Sequence, residues 1–479
     1  MDESAFASHS LLFGGALTIY LCLIALLSLV ARGRVRDVDD YVVAGRRLSL
    51  PLASATLLAT WFGAGTLLTA ADAVRTEGLR KAALDPLGAG VCLLLAGAFF
   101  AAPLWRMRLV TLADFFARRF GPRAEMTSAV FMIPGYFGWI AAQLVALGGM
   151  LELFFGIPLS YAIVFVAVVG TGYTLAGGMW SVTLTDALQI ALVILGLVVL
   201  AVVTLVELGE GDVTRSLERF LAAVPDEKLV VVPIAPPGAF PLWLGAFAAG
   251  ALGNLPGQDL MQRVFAARSP KTAQLACLVA GAAYLLFGAV PLFLALAGDV
   301  LFPSSHHVSV LPLLARMFLH PAVSVVFLLA LVSAVLSTID SAILSPATVL
   351  SENLWARVSR ENVDPLRRMR TSVLFVAGAS VVVAFLGESA YSLLESAYEL
   401  GLVSLFVPLT VGLVSSRGDE RAALWCMASG TALWVVHLVM GWESFFAPWL
   451  PDVFPTALSS AACGLIVYLC VGTRRVTIL

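Results

Sequence analysis

Residues Ala59–Thr66 read ATWFGAGT and residues Gly250–Asp259 read GALGNLPGQD. Each interrupts an apolar run otherwise long enough to cross a bilayer. Glycine and proline break the intrahelical hydrogen-bond ladder. Inside a membrane the freed carbonyls and amides are tolerated only where backbone lines a buried polar cavity or ligand site. Taken singly, Gly63, Gly65, Gly250 and Gly253 also fit a second reading, close helix packing, which is a common use of small residues in membranes. Pro256 beside Asn254 is harder to explain by packing.

The chain around these breaks is a membrane protein by composition. Of its 479 residues 60% are hydrophobic and 13% charged, and its mean hydropathy is +0.95. No soluble domain can hide that much apolar surface, whereas a helical bundle turns it toward lipid. The net charge of −2 says little about partners. No basic patch interleaved with aromatics points to nucleic acid, and no obligatory protein partner is implied. The six cysteines (Cys22, Cys92, Cys277, Cys426, Cys463, Cys470) lie in apolar runs without CxxC spacing and read as small core residues. Five histidines, of which only His306 and His307 are adjacent, offer no metal site. The N-terminus is acidic, with its basic cluster after the first apolar run, so it reads as a spanning helix and not as a cleaved signal peptide.

Apolar runs of spanning length predict thirteen helices, at residues 10–31, 51–74, 84–105, 126–155, 158–178, 180–206, 239–262, 273–297, 322–350, 371–387, 390–414, 423–441 and 454–473. With the N-terminus outside, 22 of the 29 lysines and arginines fall in cytoplasmic loops and 7 outside. That is the bias the positive-inside rule demands, and an N-out, C-in chain needs an odd number of spans. The cytoplasmic set includes Arg263, Arg360, Arg474 and Arg475. A plasma or inner cell membrane is expected. The longest external connection, residues 209–238, is expected to be a capping loop with a short amphipathic helix at TRSLERFLAAV. With no long soluble tail after the last span, no fused signalling module is expected.

The two breaks fall in the second and seventh spans, five apart. Because five is odd, five helices from residue 51 and five from residue 239 form halves of an inverted-topology repeat. Secondary transporters use this plan, with broken helices meeting at the midplane around substrate and coupling ion. The predicted division is an N-terminal peripheral helix and cytoplasmic loop (1–50), a first repeat (51–208), the loop 209–238, a second repeat (239–414) and two C-terminal helices (415–479).

The ninth span carries VSAVLSTIDSAILS, Val332–Ser345. Ala334, Ser337, Thr338 and Ser341 follow i, i+3, i+4, i+7 and share one face. Hydroxyls with freed carbonyls supply the oxygen ligands that hard cations such as Na+ favour. Back-bonding to the i−4 carbonyl is the alternative for each hydroxyl alone. Asp340 lies roughly 15 Å from the cytoplasmic end of its helix, where a carboxylate costs roughly 2.5–3.5 kcal/mol on insertion scales and marks an ion or proton path. No lysine or arginine falls in the central part of any predicted span, so a bound cation or a proton is the expected compensation. Asp186, a turn or two into its span, is either a second such acid or an interfacial helix cap.

These stretches, with DYVVAGRRLS, LADFFARRFG, TLAGGMWSVTLTDALQ and QRVF, resemble the solute:sodium symporters with a LeuT-like fold. Among these, the chain resembles most the high-affinity choline transporter branch. The resemblance implies an all-α polytopic membrane protein with a 5+5 inverted repeat, an extra N-terminal helix and two C-terminal helices. It implies a Na+ site from the carbonyls of Ala59, Phe62 and Ala334 with the hydroxyls of Ser337 and Thr338. A second cation nearer the cytoplasm would use Asp186, Asp340 and Ser341.

The implied function is Na+-coupled import of a small polar organic solute by alternating access, and not an enzyme, since no nucleophile–base or metal-ligand set appears. Trp61 and Trp139 match aromatic positions of the choline branch, and ring faces attract quaternary ammonium; packing is the alternative for both. Gly257 stands where that branch has a tryptophan, and Ala89 where a tyrosine would help, which weakens choline as the substrate. Asn254 and Gln258 are candidate hydrogen-bonding groups for a solute. Glu395 and Glu399 are candidates to gate or to bind a cationic group, with an outer-end helix cap as the alternative for Glu395. Proton coupling through Asp340 and Asp186 and a transporter-like nutrient sensor are the alternatives.

Overall fold

The computed structural model describes residues 3–303, 309–358, 364–386, 390–442, 444–447, 449–450 and 453–472. His306, His307, Arg360, Arg474 and Arg475, used in the sequence reading, lie outside them. Described residues outside the helices form turns and loops, plus one isolated bridge between Leu48 and Ala267.

Helix α1 (Glu3–Arg32) is followed by a broken pair, α2 (Leu50–Trp61) and α3 (Gly65–Glu77), bent by 51°. Then come α4 (Leu79–Arg106), α5 (Pro122–Phe155) and α6 (Leu159–Leu208). The second interrupted run consists of α7 (Ala239–Ala248), a wide turn Ala249–Gly253, and α8 (Gln258–Ala266). The remaining long helices are α9 (Pro270–Leu301), α10 (Pro321–Trp355), α11 (Pro365–Ala384), α12 (Ser392–Val414), α13 (Glu420–Met440) and α14 (Thr456–Val471).

Among the described residues eight helices are long and apolar enough to span a membrane, or nine with the bent pair as one span. The thirteen expected spans are not reached by that standard. Leu159–Gly172 and Thr456–Val471 are shorter apolar helices, and the second break cuts its run into two short pieces. The spans expected at 158–178 and 180–206 are two helices within the 50 residues Leu159–Leu208, parted where Gly178 takes φ 53°, ψ −143°. A straight helix of that length would extend about 75 Å, more than twice the hydrocarbon thickness. A side chain at Gly178 would sit 2.4 Å from the Tyr41 carbonyl.

Burial separates centre from rim. In its most apolar stretch α10 is 78% buried, against 22% for α1. That makes α10 the axis of the bundle and α1 a peripheral helix. The outer faces expose Ile19, Val168, Leu195 and Leu286, the surface expected to meet lipid. The cysteines divide between these surroundings: Cys92, Cys277 and Cys426 are buried, whereas Cys22 and Cys470 are exposed and Cys463 lies between. The core assignment for all six is thus corrected, because a thiol is equally at home against lipid. The 209–238 connection holds the short helix Val213–Ala223, capped by the Asp212 side chain accepting from Thr214 N at 2.9 Å.

Glycines let the second break dock. A Cβ on Gly253 would lie 2.1 Å from the Tyr398 carbonyl, and one on Gly250 would lie 2.2 Å from the Leu84 carbonyl. The packing and break readings of these glycines therefore hold together. Small residues let α4 and α12 approach the widened helical turn Ala249–Gly253.

Candidate ion and solute site

At the first break α2 ends on Phe62, whose φ −86°, ψ 59° leaves the helical region. Its ladder stops there, so the carbonyls of the last turn are free to accept from elsewhere. The ninth-span hydroxyls use them. Ser337 Oγ lies 2.9 Å from the Ala334 carbonyl and 3.3 Å from that of Ala59. Thr338 Oγ1 lies 3.1 Å from the Ala334 carbonyl and 3.0 Å from that of Thr60. Back-bonding and the cross-helix contact therefore coexist, each hydroxyl sharing one hydrogen between two acceptors. Gly63 makes this possible, since a Cβ there would stand 2.2 Å from Thr338 Oγ1. Across the break, Ala64 N donates to Gln143 Oε1 at 2.9 Å, a support from α5 that sequence spacing did not reveal. Ala59, Ala334, Ser337 and Thr338 are thus brought together, with Phe62 at the break itself and the Thr60 carbonyl added.

One turn further along α10 lies a charged cluster. Asp186 Oδ2 accepts from Thr56 Oγ1 at 2.5 Å, and Ser341 Oγ lies 3.1 Å from Asp340 Oδ1. Arg263 joins them. Its Nη2 donates to Ser341 Oγ at 2.5 Å and lies 4.0 Å from Asp186 Oδ2, and its Nε reaches the Thr56 carbonyl at 3.3 Å. The expectation that no basic residue reaches the centre is therefore overturned. The sequence places Arg263 in a cytoplasmic loop because the apolar run ends at residue 262. After the break, however, α8 resumes as helix and carries Arg263 inward to 1% exposure. Asp186 Oδ1 and Asp340 Oδ2 are left buried without a hydrogen-bond partner.

The second break opens onto a small cavity of about 50 Å³ lined by Tyr136, Trp139, Asn254, Gly257, Asp259 and Tyr398 among others. Asp259 is the unexpected member. Its Oδ1 accepts from Tyr136 Oη at 2.6 Å and its Oδ2 from Trp61 Nε1 at 2.7 Å. Trp61 thus reaches the second break from the first, and acts through Asp259 without lining the cavity itself.

Residues 41–430 match the family model of the sodium:solute symporter family. The chain belongs to that family. It is 26% identical over 469 residues to the human high affinity choline transporter 1, covering 91% of this chain and 79% of that one. It is also 26% identical to the sodium/proline symporter of Haemophilus influenzae, over 77% of this chain and 76% of the relative. The substrate-bound outward-open structure of a Na+-coupled sialic acid symporter superposes with a TM-score of 0.78 at 17% identity, covering 96% of each chain. The likeness shows the fold, the LeuT-like helical architecture expected from the sequence. Family and relatives are transporters, not enzymes, and the protein is a multi-pass membrane protein.

In this symporter the remaining candidates are placed as follows. Trp139, Asn254 and Gly257 line the cavity, with Asn254 Nδ2 also donating to the Gly250 carbonyl at 3.2 Å. Gln258 is turned away: its Oε1 accepts from Leu112 N at 2.7 Å, tying the break to the turn after α4. Glu399 faces α13, accepting from Trp434 Nε1 at 2.8 Å. Neither Glu399 nor Ala89 borders the cavity. Sequence reading missed Asp259 and Tyr136. An acid in the first turn of a helix reads as a helix-start residue, and nothing local reveals that a tyrosine from α5 will meet it.

Proposed function

We propose that the protein is a Na+-coupled secondary symporter that imports a small polar organic solute by alternating access. The observation that carries this reading is the meeting of the Ser337 and Thr338 hydroxyls with the Ala59 and Thr60 carbonyls across α2 and α10. Four oxygens from two helices, with no charge among them, suit a hard monovalent cation. The Na+-coupled sialic acid symporter and the sodium/proline symporter support the same coupling ion. Residues 51–208 and 239–414 are the inverted repeats in this reading, with the N-terminus outside and the C-terminus in the cytoplasm of a cell membrane.

The coupling follows from the break. Without the ion, α2 and α10 are held by shared hydroxyl hydrogens. With Na+ bound, the same hydroxyl oxygens direct lone pairs to the cation, and the two helices become fixed through it. Na+ thereby favours the arrangement in which the adjoining second break accepts solute. The coupling energy is its differential affinity for that arrangement. Choline or another quaternary amine is a candidate solute from the named relatives, weakened by the missing walls at Gly257 and Ala89.

A second cation or a proton has its own observation: the unpartnered Asp186 Oδ1 and Asp340 Oδ2. Two carboxylates face one guanidinium there, leaving one negative charge for a small cation to offset, and the sialic acid symporter structure is described as revealing a novel Na+ site.

The test is solute uptake into proteoliposomes by the wild type and Thr338→Ala. The variant should need at least tenfold more Na+ for half-maximal uptake while expressing normally. An unchanged Na+ dependence overturns the assignment. Uptake driven by a pH gradient in Na+-free buffer replaces Na+ with protons.

A further inference from the structure

We infer that the solute carries a positively charged nitrogen bearing at least one N–H, and that the Asp259 carboxylate is what selects it. This rests on the symport reading above and adds the chemical class of the cargo.

Asp259 lines the cavity at the second break yet is only 4% exposed. Two neutral donors, Tyr136 Oη and Trp61 Nε1, fix its two oxygens, one each. An ionised carboxylate offers about four acceptor positions, so each oxygen keeps one free. The nearest basic side chain on its own helix, Arg263, donates through Nη1 to the Asp259 backbone carbonyl at 2.9 Å, while its Nη2 turns to Ser341 and Asp186 and its Nε to the Thr56 carbonyl. Among the described residues Asp259 forms no ion pair.

A buried charge without a counter-ion is retained in membranes where function requires it. At a cavity wall the missing cation is supplied by the occupant.

Gly257 belongs to the same device. A Cβ there would lie 2.8 Å from Asp259 Oδ1, so any side chain at 257 displaces the carboxylate. The position that removes an aromatic wall is the one that leaves the acid its room. Tyr136 and Trp139, with ring centroids 5.8 Å apart, remain to face the cation. A quaternary ammonium would use those rings but offers no hydrogen to the two free lone pairs. A protonated amine uses both.

The test measures quenching of tryptophan fluorescence and the melting temperature of purified protein in Na+. The probes are N,N-dimethylethanolamine, L-proline, choline, neutral 3,3-dimethyl-1-butanol and pyruvate. An N–H ammonium should act at least tenfold below choline and below the neutral and anionic probes. Asp259→Asn should raise its half-effective concentration at least tenfold, while the shift caused by Na+ alone persists. The inference is overturned if neither N–H ammonium registers, if choline, the alcohol or pyruvate acts at the lowest concentration, or if Asp259→Asn stays within twofold of wild type. Should that variant lose its Na+ response, the wild-type ranking decides alone. Failure of the symport reading shows itself differently, as a wild-type melting temperature that Na+ does not move.

Discussion

Arg263 Nη2 donates to Ser341 Oγ at 2.5 Å, in the buried centre of the bundle. The guanidinium reaches α10 from the helix that resumes after the second break, and Asp186 stands 4.0 Å away on α6. Three helices far apart in the chain therefore share one charge cluster. Its single cation holds two acids whose ionised forms would otherwise repel.

Removing that cation should be severe. Arg263→Ala leaves Asp186 and Asp340 without their buried counter-charge, a change worth about 3–5 kcal/mol for a broken buried pair. The expected outcome is a lower melting temperature that rises more steeply with Na+ than the wild type's does. Adding Asp340→Asn should restore much of the loss. A melting temperature equal to wild type, measured across a Na+ series, would rule out an electrostatic role for Arg263.

Gly63 is predicted to tolerate no side chain. Its Cβ would come within 2.2 Å of Thr338 Oγ1, which is already committed to two carbonyls. Gly63→Ala should therefore reduce Na+-driven uptake at least tenfold. Gly149, where a Cβ meets nothing within 4 Å, is the control, and Gly149→Ala should transport normally.

Glu399 separates a packing role from a binding one. Its carboxylate is held by Trp434 Nε1 and lies off the cavity. Trp434→Phe should lower stability by about 1–3 kcal/mol, the cost of leaving a buried acceptor unsatisfied, and leave the half-saturating solute concentration within twofold of wild type. A large shift in that concentration with no change in melting temperature would return Glu399 to the solute site.

Much of the fold was legible because membranes simplify it. Spanning segments must be apolar and helical, so runs of Leu, Val and Ala mark them, and any Gly–Pro interruption is conspicuous. The hydroxyl-bearing face was legible for the same kind of reason: Ala334, Ser337 and Thr338 follow helical spacing, and the hydroxyls then needed only a break nearby. The number of crossings was less so. Gly178 parts two spans where the sequence expects, but the first is a short apolar helix by length, and the second break likewise leaves pieces too short to count.

Other residues could not be assigned from their neighbours in sequence. Arg119 reads as a loop arginine, yet it is 3% exposed and donates to the carbonyls of Gly412, Ser415, Arg417 and Gly418. Gln258 reads as a solute ligand beside a break, and its amide is taken up by Leu112.

The sequence by itself determined that this is a helical membrane protein with two broken helices and a hydroxyl-bearing face, because those features depend on local periodicity and on the backbone's need for hydrogen bonds. Only the tertiary structure decided which polar groups meet. Asp259 lies between Trp61 and Tyr136, and Arg263 between Asp186 and Ser341, because helices distant in the chain converge at the breaks. A buried charge is defined by partners that no stretch of sequence contains.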